Sequence, residues 1–95
     1  MVLITKALFA YEVPYSQRSD GKYETDGTLN QRYPVYTRQH YSVYRRSDGK
    51  WYHTFEQPLP DSGGALAYGE KVVSQPWEST YYPSITILPL LECDL

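Results

Sequence analysis

Apolar side chains fill both alternating sets of positions in residues 2–13 (VLITKALFAYEV), with Leu3, Ala7, Phe9 and Tyr11 in one set and Val2, Ile4, Leu8 and Ala10 in the other. A strand buried on both faces has this pattern. Ala7, Leu8 and Ala10 would also suit a short helix, but the weight of Val, Ile, Thr, Phe and Tyr favours a strand. Pro14 ends it. No stretch of eleven residues or more keeps a helical period, so little helix is expected.

One six-residue pattern occurs twice, as Arg18-Ser19-Asp20-Gly21-Lys22-Tyr23 and as Arg46-Ser47-Asp48-Gly49-Lys50-Trp51. Ser-Asp-Gly between extended runs suits a three-residue hairpin loop, in which glycine supplies the positive φ of a bulge. The likeness ends with those six residues, so the two hairpins share turn chemistry and are not a duplicated module. In the second hairpin the loop pairs Arg46 with Lys50, Arg45 with Trp51, Tyr44 with Tyr52, Val43 with His53 and Tyr41 with Phe55. Alternation then puts Tyr41, Val43, Arg45, Trp51, His53 and Phe55 on one face, expected to be core. Ser42, Tyr44, Arg46, Lys50, Tyr52 and Thr54 share the other, expected to be wet.

Residues 33–38 (YPVYTR) read as a further strand, with Pro34 at an edge or a strand start because it has no N–H for a ladder. Gln39-His40 is short enough for a tight turn, which makes a three-strand meander. Residues 57–69 (QPLPDSGGALAYG) read as a loop, and long loops in compact domains are functional or disordered. Residues 71–74 give a brief strand signal. Residues 75–84 (QPWESTYYPS) are irregular and carry Trp77, Tyr81 and Tyr82 between prolines. Residues 85–91 (ITILPLL) close the pattern as a hydrophobic strand interrupted at Pro89, ahead of a polar end.

Composition narrows the class. Eleven tyrosines and two tryptophans in 95 residues suit β-sheet faces and contact surfaces, where a ring packs while its polar atom stays wet. The length holds one domain with one modest core. A single cysteine, Cys93, allows no internal disulfide and points to a reducing compartment. The apolar start is far shorter than the roughly 20 residues of a membrane helix and lacks a basic leader, so a cytoplasmic protein without a membrane partner is expected.

Charge is unevenly spread within the net −2. Arg32, Arg38, Arg45, Arg46 and Lys50 face only Asp48 across residues 32–53, whereas residues 54–95 hold Lys71 against Glu56, Asp61, Glu70, Glu78, Glu92 and Asp94. Either the middle meets an anionic partner, or the two segments neutralise one another.

Candidate chemistry is sparse. Asp61-Ser62-Gly63-Gly64 resembles the core of the chymotrypsin-like serine protease signature, which implies a serine nucleophile beside an oxyanion hole. Pro60 stands where that family has glycine, 95 residues cannot hold its two barrels, and Asp48 lies in a turn where it is poorly placed to support His40 or His53. The four residues are therefore read as loop composition. His40, His53 and Cys93 lack the spacing of a metal site, and His53, between Trp51 and Phe55 on the core face, is expected to be a hydrogen-bonded structural histidine. Gly21, Gly27 and Gly63-Gly64 lack the spacing of a phosphate loop. No catalytic residue, metal or cofactor is expected.

The fold class expected is mainly β, a small antiparallel barrel or sandwich of five to seven strands with SH3-like or OB-like closure, in which the N- and C-terminal strands are central. The function expected is noncatalytic protein binding, by occluding or bridging a partner, through Tyr44, Arg46, Lys50, Tyr52, Trp77, Tyr81 and Tyr82, since Tyr, Trp and Arg are enriched at interface hot spots. A phage-type inhibitor or accessory protein fits that description, and a homodimer through an edge strand fits it too. The alternative uses Tyr44, Arg46, Lys50 and Tyr52, with Tyr36 and Arg38, as a basic sheet face on which single-stranded nucleic acid or a nucleotide stacks. Against it stands the acidic whole, since nucleic-acid domains carry excess positive charge.

Overall fold

The computed structural model describes residues 2–7, 20–55 and 59–90, and for residues 5–7 the backbone alone. The chain is mainly β, built of short antiparallel strands: β1 Val2–Ala7, β2 Gly21–Tyr23, β3 Leu29–Asn30, β4 Tyr33–Pro34, β5 Tyr36–Arg38, β6 Tyr41–Arg45, β7 Trp51–Thr54, β8 Ala67–Gly69, β9 Tyr81–Tyr82 and β10 Ile85–Pro89. Helix among the described residues is limited to one 3-10 turn, Pro76–Glu78.

A three-stranded sheet runs β10-β1-β2 and a five-stranded sheet runs β5-β6-β7-β8-β9, with β3 and β4 forming a small separate pair. Reciprocal backbone bonds between Glu24 and Thr37 (3.1 and 2.8 Å) bridge β2 to β5, so the two larger sheets follow one another around a shared core. On the far side β9 leads directly into β10 through the cis Tyr82–Pro83 peptide, and no ladder joins those two strands among the described residues. The result is a rolled sheet with one open seam. β1 is central in its sheet as its two-sided apolar pattern requires, whereas β10 lies at the edge and leaves Leu88 exposed.

Both sheets feed one core. Val2, Ile4, Tyr23, Ile85 and Ile87 from the first meet Tyr36, Tyr41, Val43, Trp51, Ala67 and Tyr81 from the second. Trp51 is its centre, with Tyr33 edge-on at 6.2 Å and Tyr36 tilted at the same distance. Pairing on its own strands is the hairpin that Ser47-Asp48-Gly49 dictates: Val43 opposes His53, Tyr44 opposes Tyr52 and Arg45 opposes Trp51. Gly49 takes the φ of +81° that the bulge needs, and the Gly49 N–H donates to Arg46 O at 2.9 Å. The meander is present, with Gln39 at φ +55° in the β5–β6 turn.

Besides the edge position of β10, which was expected to be central, three expectations need correction. The face carrying Ser42, Tyr44, Arg46 and Thr54 is buried, because the segment from residue 59 to 66 folds over it, while Phe55 on the nominal core face is 40% exposed. Residues 71–74 form no strand: the Val73 carbonyl is taken by side-chain donors, Trp51 Nε1 at 3.2 Å and Arg45 Nε at 3.1 Å. The strand lies earlier, at Ala67–Gly69 inside the expected loop. Small residues are needed there, since a Cβ at Gly69 would come within 3.1 Å of the Trp51 carbonyl oxygen. The first Ser-Asp-Gly turn begins outside the described residues; within them Gly21 is a strand residue opposite Ile4.

Candidate functional site

Antiparallel register aligns side chains across neighbouring strands. Tyr44 on β6 opposes Tyr52 on β7, Tyr52 opposes Tyr68 on β8, and Tyr68 opposes Tyr82 on β9. Four tyrosines therefore make one row across the five-stranded sheet, on the face away from Trp51. Ring centroids are 6.4 Å apart for Tyr52 and Tyr68 and 5.8 Å for Tyr68 and Tyr82, distances at which aromatic pairs attract.

The row emerges progressively from the protein. Tyr44 is sealed, Tyr52 is half-buried, and Tyr68 and Tyr82 are 42% and 59% exposed. At the sealed end, the Tyr44 hydroxyl donates to Pro60 O at 2.6 Å and accepts from Arg46 Nε at 3.1 Å. Arg46 Nη1 donates to Gly63 O at 3.2 Å, and the guanidinium lies 3.9 Å from the Tyr52 ring centroid. Asp61 clamps this cover to the hairpin by accepting from the Ser47 N–H at 2.8 Å and from the Ser47 hydroxyl. Those bonds hold the Asp61 carboxyl below its ordinary range. The Tyr52 hydroxyl donates to Asp48 at 2.5 Å, and burial followed by that neighbouring carboxylate pushes the phenol up to about 12.

The expected site residues thus separate. Tyr52 and Tyr82 belong to the open row. Tyr44 and Arg46 lie beneath the cover, and Lys50 is half-buried beside them. Tyr81 points the other way and plugs the core end, its hydroxyl bonded to Pro76 O at 2.5 Å and its phenol pushed up by burial. Trp77 packs half-buried against the core from the 3-10 turn. Tyr36 is also buried. Tyr68 was missed, because its strand is flanked by alanine and glycine, residues that lower the strand signal.

His53 is buried between Tyr23, whose hydroxyl lies 3.0 Å from Nε2, and the stacked ring of Tyr41 at 5.9 Å. Burial lowers its pKa to about 4, so the ring is neutral near pH 7. Ser62 is exposed in the 59–66 cover, and the Asp61 carboxylate is spent on Ser47, so the protease-like tetrapeptide does not assemble with either histidine among the described residues. Among the described residues no group of three or more His, Cys, Asp or Glu is placed to hold a metal, and no helix is long and apolar enough to cross a membrane. Cys93 lies outside the described residues. No family model, no curated protein and no solved structure matches this chain.

Proposed function

We propose that this chain is a noncatalytic protein-binding module whose contact surface is the open tyrosine row Tyr52–Tyr68–Tyr82. The row itself carries the reading: three rings aligned on neighbouring strands, two of them exposed. Tyrosine offers a large rigid apolar area at small cost in side-chain entropy, which is why it recurs at interface hot spots. The rings cross the strands at right angles to the ladder, and β7 and β8 are hydrogen-bonded on both sides. A ligand over Tyr52 and Tyr68 is therefore held by side chains and not by added strand bonds. A small domain of this kind acts on its partner by occlusion or bridging.

The same observations disfavour the nucleic-acid alternative. Arg46, its main cation, is 3% exposed, and the carboxylates of Asp48 and Asp61 border the Tyr52 end of the row. Phosphate contacts need accessible cations.

The test is capture of a partner from the native host by tagged protein, repeated with Tyr68→Ala and Tyr82→Ala. Each is expected to weaken capture by about tenfold or more while the melting temperature stays near that of the parent. Undiminished capture by the double variant removes the reading, and binding of single-stranded DNA or RNA that weakens steeply with salt replaces it with the alternative.

A further inference from the structure

We infer that the Arg46 guanidinium is a concealed receptor for a carboxylate, covered by residues 59–64, and that its ligand is an acidic side chain of the partner protein. The source of that ligand rests on the protein-binding reading; the site itself does not. Arg46 is 3% exposed, and its Nη2 is buried without a hydrogen-bond partner. Its other bonds go to neutral oxygens, the Tyr44 hydroxyl from Nε and the Gly63 carbonyl from Nη1. Among the described residues no carboxylate hydrogen-bonds to it, and Asp61, whose carboxyl the Arg46 charge helps to hold low, is bonded to Ser47 instead. Arginine cannot shed its charge, so the burial is compensated only in part, and an incoming anion or release of the cover relieves it.

The cover is suited to release. Residues 61–64 are exposed, and space around Gly63 and Gly64 is open to 4 Å from where a Cβ would stand. Polar bonds fasten the segment: Tyr44 to Pro60 O, Arg46 to Gly63 O, and Ser47 to the Asp61 carboxylate. Lifting it frees Nη1 from Gly63, which leaves Nη1 and the unpartnered Nη2 as two adjacent donors while Nε stays on Tyr44. That pair of donors matches the two oxygens of a carboxylate, and the Tyr52 ring at 3.9 Å fixes the plane of the fork. Asp48, which stays on the hairpin when the cover lifts, repels a dianion more strongly than a monoanion, which favours carboxylate over phosphate. An acidic residue flanking the segment that lies on Tyr52 would reach the fork.

Titration of isotope-labelled protein with sodium acetate at constant ionic strength tests this, read at the Arg46 Nε–H and at the Ser47 and Gly63 amides. A saturable shift is expected. Asp61→Asn, which loosens the cover, is expected to tighten acetate by about threefold, because the competent open state is then more populated. Arg46→Lys, which keeps the charge without the fork, is expected to lose the response at Ser47 and Gly63 while the remaining spectrum stays folded. No saturable shift in either the parent or Asp61→Asn overturns the site, as does an undiminished response in Arg46→Lys. Tighter binding of inorganic phosphate than of acetate overturns the carboxylate assignment. Acetate binding that persists where the tyrosine-row variants leave partner capture unchanged upholds the receptor and removes the row.

Discussion

The two faces of the β6–β7 hairpin are both buried, by different means. On the inner face Tyr41, Val43, Trp51 and His53 meet the other sheet in an apolar core of interlocking rings. On the outer face Ser42, Tyr44, Arg46 and Thr54 lie under a proline- and glycine-bearing strap held by a hydroxyl, a guanidinium and a carboxylate. Burial by apolar packing scales with area and is hard to undo locally. Burial under a polar strap depends on a few bonds, each of net worth about 1 kcal/mol. The inner face is therefore held by apolar packing, and the outer face by a small set of polar bonds.

The sharpest way to break this contrast is to truncate one residue on each face. Trp51→Ala empties the core centre and is expected to cost about 3–5 kcal/mol. Tyr44→Phe removes one hydroxyl from the strapped face, leaves Pro60 O and Arg46 Nε short of a partner, and is expected to cost about 1–2 kcal/mol. Denaturant midpoints at pH 7 measure both. Equal losses would mean that the strap is as much a part of the core as the tryptophan.

Acid reaches the inner face through His53. Its folded pKa, about 4, lies below the ordinary 6.5, so between those values the unfolded chain binds a proton that the folded one refuses. The stability that His53 contributes is complete above about pH 6.5, falls as pH drops towards about 4, and is constant below that, a loss of about 3 kcal/mol. Asp61 and Asp26, with carboxyls held low, add losses only below the ordinary carboxylate value, and Asp20, raised by burial, acts in the opposite sense just above that value. Urea midpoints at pH 7.5 and 4.5 check the window. His53→Gln, which keeps a polar atom for Tyr23, is expected to abolish most of the slope, and an unchanged slope would place the acid sensitivity elsewhere.

Much of this geometry was legible in the chain. Ser47-Asp48-Gly49 set the hairpin, its register followed by counting, and alternation then grouped the right side chains. Alternation does not say which group meets water. Tyr44 and Arg46 read as wet because their cover comes from a segment whose prolines and glycines carry no apolar signal, and its bonds to them span 16 and 17 positions. The tyrosine row was half legible for the same kind of reason. Tyr52 and Tyr82 stood out, but Tyr68 needed a strand that small residues beside Trp51 disguise. Val72 and Val73 pointed to a strand where the Val73 carbonyl instead receives Trp51 and Arg45. Local preference lost in both places to the packing of one large ring.

The smallest expected effect bears most directly on the strap. Asp61→Ala removes the clamp on Ser47 without touching Trp51, His53 or any other core residue. If the outer face opens independently, exchange of the Ser47 amide hydrogen should accelerate by about tenfold or more, while core amides such as Val43 keep their parental rates. In the variant the Ser47 amide loses its acceptor without loss of any strand bond, since that N–H donates to Asp61 and not to a strand. Were Val43 to accelerate in step, opening of the strap would be unfolding of the sheet, the two faces would form one cooperative unit, and a surface that changes without loss of the fold could not be built here.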